Sequence, residues 1–161
     1  MKEPRELLLH EMGDILYAEK ALVQTLPKLA KEASDTSLVA AIEKHLSETE
    51  QHVSNVEAAF EELGEQPKAE KCPGIEGLKK EHDEFMTKER PSNDVADMFL
   101  TGAAARTEHY EIAAYTGMIT MAEALGEPKV ATLLKTNLKQ EMAALDTVEK
   151  IGQQLAAKTP A

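Results

Sequence analysis

The segment AARTEHYEIAAY, Ala104–Tyr115, decides the fold class. On a helix with about 100° per residue, Glu108 falls at the centre of an apolar face that includes Ile112 and Tyr115. A lone carboxylate is costly to bury, because it loses its hydration without gaining a partner. Glu108 therefore predicts partner groups on other helices, and those helices should be visible in the rest of the chain.

Apolar residues recur at three- and four-residue spacing through four long segments. The first two segments are joined by a short link, as are the last two, so each pair predicts an antiparallel hairpin. A long connection from Gly64 to Ser92 has room for a short extra helix. We therefore predict an all-α, ferritin-like antiparallel four-helix bundle, one domain over residues 1–161, with a long crossover that carries the extra helix. The four helices are predicted at about Pro4–Ala33, Leu38–Leu63, from PSND near Ser92 to LGEP near Leu125, and Lys129–Ala157.

Composition excludes several classes of partner. The formal net charge of −11 argues against nucleic acid and against an anionic membrane surface. No apolar run approaches about 20 residues, so no membrane span is expected, and the N-terminus lacks the apolar region of a secretory signal. The single cysteine, Cys72, excludes an intramolecular disulfide and favours a reducing compartment. We expect a cytoplasmic protein.

The other three helices also place carboxylates towards the predicted core. Glu19 and Glu141 lie at the centres of the apolar faces of the first and fourth helices. The second helix is less clear, because Glu48 lies near the edge of its face, with His45 and His52 between Glu48 and the centre. All of these residues are near the middles of their helices, so they could meet in one layer of the bundle.

The third helix offers two further polar groups beside Glu108, since His109 and Glu111 fall at opposite edges of its apolar face. Each polar residue, taken singly, has a plainer interpretation as a solvated helix-surface group. His10 and His82 are expected to be solvated. Three central glutamates on three separate helices are harder to explain in that way, and they predict a shared polar or metal-binding layer.

Four carboxylates in an apolar layer would repel one another strongly. Protonation would relieve the repulsion, because burial and like charges both raise the pKa of a carboxyl group. Two divalent cations would relieve it better, since their four positive charges balance four carboxylates. Carboxylate oxygens with a few imidazoles suit iron or manganese.

Four segments together resemble the YciE/YciF-type stress-protein family of ferritin-like bundles. They are YAEKALVQTLPKLA at residues 17–30, HLSETEQHV at 45–53, EHYEIAAY at 108–115 and LKQEM at 138–142. The resemblance covers nearly the whole chain. It implies a bundle related to rubrerythrin and ferritin, a bacterial cytoplasmic setting, stress-linked expression and a homodimer.

The resemblance also implies metal ligands. The usual ferritin-like glutamates fall on Glu19, Glu48, Glu108 and Glu141, but the histidines that usually follow the second and fourth of them are replaced by Gln51 and Ala144. His52 or His45 could substitute, and Glu111 could add a carboxylate. The site could hold two metal ions asymmetrically, one, or none. The candidate metal ligands are Glu19, His45, Glu48, His52, Glu108, Glu111 and Glu141.

Three functions remain open at this stage. The first is a dimetal carboxylate protein that handles oxygen or peroxide with iron or manganese, with Tyr115 or Tyr110 near the metal ions. The second is a metal-free stress protein that acts through dimerisation or partner binding. The third is an iron-storage subunit, which the missing histidines at positions 51 and 144 disfavour.

Overall fold

The structure is a computed structural model, and it describes residues 1–158. This part of the chain contains helices and no strand, which confirms the all-α prediction, and the extra helix in the crossover is present. The five helices are α1 (Pro4–Glu32), α2 (Thr36–Glu62), α3 (Pro73–Glu89), α4 (Asn93–Ala124) and α5 (Pro128–Ala157).

The four long helices form a closed ring around one core. α1 packs on α2 and on α4, and α5 packs on α2 and on α4, so each long helix has two long neighbours. Each contributes fully buried apolar side chains, for example Leu16, Val56, Tyr115 and Leu134. This arrangement confirms the predicted ferritin-like bundle, and it turns the centre of every apolar face towards the same interior.

The helix ends follow from local hydrogen bonds. α2 begins two residues before the predicted Leu38, because the carboxylate of Asp35 accepts hydrogen bonds from the backbone N–H groups of Ser37 and Leu38 and caps the helix. It ends before Gly64, as predicted, and Gly64 has a φ of 72° that favours glycine. These ends fix the depth at which the α2 histidines meet the other helices.

The crossover holds α3 against the bundle near the middle of α4. Cys72 caps α3, and its Sγ lies 3.1 Å from the hydroxyl of Tyr110 on α4. The same hydroxyl donates a hydrogen bond to Asp14 on α1, with a length of 3.0 Å. α3 therefore packs against α4 and is tied through Tyr110 to α1.

Replacing Gly74 with alanine is expected to weaken the docking of α3. An added Cβ would lie 2.5 Å from the ring of Tyr110, so the ring and its hydrogen bonds would have to move. We expect the free energy of unfolding to fall by roughly 1–3 kcal/mol in urea denaturation. The matched variant Gly77→Ala, also in α3 but with open space around it, should be neutral or more stable by up to about 1 kcal/mol. Equal effects at the two positions would contradict this packing.

Within residues 1–158, none of the helices is both long and apolar enough to cross a membrane.

Candidate metal centre

Six polar side chains from all four long helices meet in the interior of the bundle. None has more than 7% of its surface exposed, although each lies in a helix whose outer face is charged. His45 and His52 of α2 are seven residues apart, and Glu108 and Glu111 of α4 are three apart. Each spacing places both residues on one face of their helix. The six residues are Glu19, His45, His52, Glu108, Glu111 and Glu141.

The first group of ligand atoms joins α1, α2 and α5. Nδ1 of His52 lies 2.8 Å from Oε1 of Glu141 and 3.4 Å from Oε1 of Glu19. All three residues are fully buried. Two carboxylates and one imidazole thus converge closely enough to hold one metal ion.

The second group lies beside the first and joins α2, α4 and α5. Nε2 of His45 lies 3.3 Å from Oε1 of Glu108 and 3.9 Å from Oε2 of Glu141. Glu111 completes this group. Burial lowers the pKa of His45, which favours the neutral imidazole that binds metals.

Glu141 belongs to both groups. Its Oε1 faces His52 in the first group, and its Oε2 faces His45 in the second. A carboxylate with one oxygen directed to each of two neighbouring ligand groups is suited to bridge two metal ions. Glu141 is therefore the residue on which a two-metal arrangement depends.

The cluster leaves polar atoms without partners. Within residues 1–158, eight buried side-chain nitrogen and oxygen atoms lack a well-directed hydrogen bond, and all eight belong to these six residues. Three of the eight, Nδ1 of His52 and both oxygens of Glu141, lie in the ion pairs described above, and the other five have no partner of either kind. Buried polar groups are normally satisfied, because an unsatisfied one costs roughly 1–3 kcal/mol. The concentration of such atoms in one place makes this cluster the candidate site for a bound metal ion.

The carboxyl groups differ in their affinity for protons. Burial and the neighbouring Glu141 raise the pKa of Glu108 and Glu111 well above the usual value. Burial opposes ionisation of Glu141 as well, but contacts with His52 and Glu108 lower its pKa overall. Burial disfavours the charged ring of His52, yet Glu141 and Glu19 raise its pKa to about 10. Burial, reinforced by Glu141, raises the pKa of Glu19 to about 7.

A set of outer hydrogen bonds holds the first group in place. The Tyr115 hydroxyl donates to Glu19, and Nδ2 of Asn137 donates to the Tyr115 hydroxyl at 2.9 Å. Nε2 of His52 lies 2.9 Å from the amide oxygen of Gln140, so Nδ1 of that ring faces Glu19 and Glu141. Such outer partners fix the orientation of metal-binding side chains. The sequence placed Asn137 on the apolar face around Glu141 but did not reveal the roles of Asn137 and Gln140.

Some predicted positions differ in the structure. Glu48 is half-buried, forms an ion pair with Lys44 and lies outside both ligand groups. His109, predicted at the edge of the α4 face and not among the candidate ligands, is exposed. The prediction that His82 is solvated is wrong. This ring of α3 is buried against the bundle, and its Nε2 lies 2.8 Å from Glu32 of α1.

Glu111 was predicted at the edge of the α4 face but is fully buried. α4 contacts α1, α3 and α5, so its buried face is wider than that of a helix packed on one side. Glu111 replaces Glu48 as the fourth carboxylate of the cluster. Of the two positions that lack the usual histidine, Gln51 is exposed and Ala144 is buried.

Comparison with known proteins matches residues 3–161 to a family described as a domain of unknown function, DUF892. The chain belongs to this family. The curated protein YciF of Escherichia coli strain K12 is 38% identical to this DUF892 chain over 144 residues, which cover 89% of this chain and 86% of YciF.

Two solved structures are similar to this DUF892 protein over most of their length. The crystal structure of the E. coli stress protein YciF has a TM-score of 0.93 and 34% identity, with 99% of this chain and 100% of that chain covered. YcfI from Rhodopseudomonas palustris has a TM-score of 0.89 and 36% identity, with 92% and 94% covered. These matches confirm the resemblance on which the sequence-based ligand assignment drew.

Proposed function

We propose that this protein binds two divalent metal ions, iron or manganese, inside the bundle and uses them to handle oxygen or peroxide under stress. The observation that carries the proposal is that five buried ligand atoms without any partner lie in two ligand groups that share Glu141. The stress-protein description of its homologue YciF supports the physiological setting.

Charge balance supports two ions rather than one. The cluster contains four carboxylates, from Glu19, Glu108, Glu111 and Glu141, and two divalent ions would neutralise all four. The donor atoms are oxygens and imidazole nitrogens, which suit iron and manganese. As in dimetal carboxylate bundles, the ligands come from facing helices, but neither Glu-x-x-His pair of those bundles is present, and Glu111, His45 and His52 take part instead. When bound, the metal ions would supply the exchange of electrons with the oxidant.

The chain itself would orient the ligands and manage protons. Glu141 would contribute to holding both ions, and the contact of Gln140 with Nε2 of His52 would keep Nδ1 of that ring directed to the site. Tyr115 keeps a proton beside Glu19, because burial and the charge of Glu19 raise the pKa of its hydroxyl. The apolar side chains around the cluster would restrict access of water.

A metal-free function has one observation in its favour. The raised pKa values of Glu108 and Glu111, together with an imidazolium at His52 beside an ionised Glu141, would leave the empty cluster close to neutral. The bundle would then fold without metal and act through dimerisation or partner binding. The homodimer and the cytoplasmic setting stay predictions.

Metal loading tests the proposal directly. Protein treated with chelator and then reconstituted with Fe(II) or Mn(II) without oxygen should contain two ions per chain. At a free concentration of about 100 times the dissociation constant, each site should add roughly 2.7 kcal/mol to the free energy of unfolding. Glu111→Gln should lose the ion of the second group, whereas the matched variant Glu48→Gln should keep both. Below about 0.1 ion per wild-type chain with no thermal shift, the metal-free function would be favoured.

A further inference from the structure

A cavity of about 200 Å³ lies between α3 and the four-helix ring and extends to the candidate metal centre. All five helices contribute to its walls. At its buried end are His45 and Glu108, which both belong to the second ligand group. The cavity is therefore a route by which a molecule could reach the metal ions.

The wall formed by α4 changes from apolar to polar along its length. Leu100, Ala104 and Glu108 all line the cavity and are spaced by four residues, so they form one row on the helix. On the opposite side, Leu26 and Leu78 add further apolar surface. A molecule lying along this row would contact hydrocarbon over most of its length and meet a carboxylate at one end.

Ala144 provides space where a dimetal bundle usually places a ligand. In the common Glu-x-x-His motif, an imidazole follows the glutamate by three residues. Here that position after Glu141 is Ala144, which is buried and lines the cavity. The small side chain leaves room beside the cluster that a histidine would occupy.

The threonine hydroxyl groups on the cavity wall have hydrogen-bond partners, whereas two atoms at its buried end do not. The hydroxyl groups of Thr25, Thr107 and Thr147 each donate to the carbonyl four residues earlier in their own helix, at 2.8–3.1 Å. By contrast, Oε2 of Glu108 and Nδ1 of His45 have no hydrogen-bond partner among residues 1–158. A ligand with one polar group would thus place that group at Glu108 and His45.

The lining offers no unpaired cation to an acidic ligand. Each of the four lysine and arginine side chains of the described lining forms an ion pair with a carboxylate. An anionic ligand would have to displace that carboxylate to bind the cation. The chain also has a net charge of −11, which repels anions. A neutral ligand is therefore favoured. The pairs are Lys28 with Asp83, Lys44 with Glu48, Lys79 with Glu76 and Arg106 with Glu81.

We infer that this cavity binds a small neutral organic molecule with an apolar body and one terminal O–H group, which donates a hydrogen bond to Glu108. The size fits a single six-membered ring with a short side chain, since an engineered cavity of roughly 150 Å³ holds benzene. The inference rests on the proposed function in that it names the class of molecule that reaches the metal ions. Binding itself requires only the chain.

Titration of the metal-free full chain with benzyl alcohol tests this binding. Backbone amide signals of Leu78, Ala104 and Thr107, which line the cavity, should shift in nuclear magnetic resonance spectra. Toluene, which has the same ring but no O–H group, should bind about tenfold more weakly, because it forms no hydrogen bond with Glu108. Absence of saturable binding, or equal affinity for the two compounds, would overturn the inference.

A pair of variants on α4 locates the binding. Ala104→Leu should fill the cavity and weaken benzyl alcohol binding at least about tenfold, because the inserted side chain occupies the ligand's space. Ala113→Leu adds the same side chain at an exposed position of the helix and should leave binding unchanged. Unchanged binding in Ala104→Leu would overturn the inference. If that variant does not fold, the wild-type comparison of benzyl alcohol with toluene still decides.

The two proposals fail in different ways. Metal uptake by the wild type without benzyl alcohol binding would overturn the cavity inference and leave the metal centre in place. Benzyl alcohol binding without metal uptake would support the cavity inference and overturn the proposed metal function.

Discussion

Glu141→Gln is expected to lose both metal ions at once. The two oxygens of Glu141 face different imidazoles, Oε1 at 2.8 Å from His52 and Oε2 at 3.9 Å from His45, so this one side chain completes both ligand groups. An amide removes the negative charge and replaces one oxygen donor with an N–H₂ group, which cannot bind a cation. The loss in affinity at both positions should exceed the roughly 10–100-fold that removal of an outer partner causes.

The matched comparison is Glu19→Gln, which alters a fully buried carboxylate that belongs to the first group alone. This variant should keep about one ion per chain, held by the second group. Metal analysis after reconstitution, with helix content checked by circular dichroism, separates the two results. Retention of one ion by Glu141→Gln would show that the two groups do not share this residue.

The fold could be predicted because its signals are local. Three- and four-residue spacing of apolar side chains marks the helices, and the short links and the one long connection set the order in which they pair. Central positions on a helix face were equally predictable. Glu19, Glu108 and Glu141 point to the interior whatever the precise packing, and all three are buried.

Positions at the edge of a face could not be predicted in this way, because neighbouring helices decide whether an edge is covered. α4 has three helix neighbours, so Glu111 is buried, whereas Glu48 on α2 pairs with Lys44. The burial of His82 depends on the docking of α3, which is set by distant contacts of Cys72 with Tyr110. No spacing in the sequence contains that information.

The same distinction applies to the outer hydrogen bonds. Asn137 faced the interior in the helix projection, as the structure confirms. Its hydrogen bonds to Tyr115 and to the backbone carbonyl of His52 depend on the register of α5 against α4 and α2. Helix periodicity gives the direction of a side chain, but only the packed bundle gives its partner.

The metal-free protein is expected to lose stability as the pH rises from about 5 to 7.5. In the unfolded chain these glutamates release their protons near pH 4.5. In the folded state Glu108 and Glu111 keep their protons well above that pH, and Glu19 keeps its proton up to about pH 7. His45 opposes this, because burial lowers its pKa and the folded state binds up to one proton fewer there below about pH 6.5. The folded state still binds more protons overall, and the free energy of unfolding falls by about 1.4 kcal/mol per pH unit for each proton of this excess.

His52 and Glu141 change stability mainly outside the range from pH 5 to 7.5. His52 has a folded pKa of about 10, so its stabilising contribution is complete below the unfolded pKa of about 6.5 and is lost as the pH rises through 10. The lowered pKa of Glu141 has the opposite sign, and its contribution is lost only as the pH falls below about 4.5. The double variant Glu108→Gln/Glu111→Gln should therefore flatten the pH dependence measured by urea denaturation.

Metal binding should reverse this behaviour, because the ions require the deprotonated ligands. Around pH 7 the metal must displace protons from Glu108, Glu111 and His52 and part of one from Glu19. Each proton released would raise the apparent affinity for the pair of ions by about tenfold per pH unit. Calorimetric titration in two buffers of different protonation enthalpy gives the number of protons released. A value near zero, or a metal-induced thermal shift that is equal at pH 5.5 and 7.5, would mean that the ions bind elsewhere, because no site that uses Glu108, Glu111 and His52 can be filled without releasing their protons.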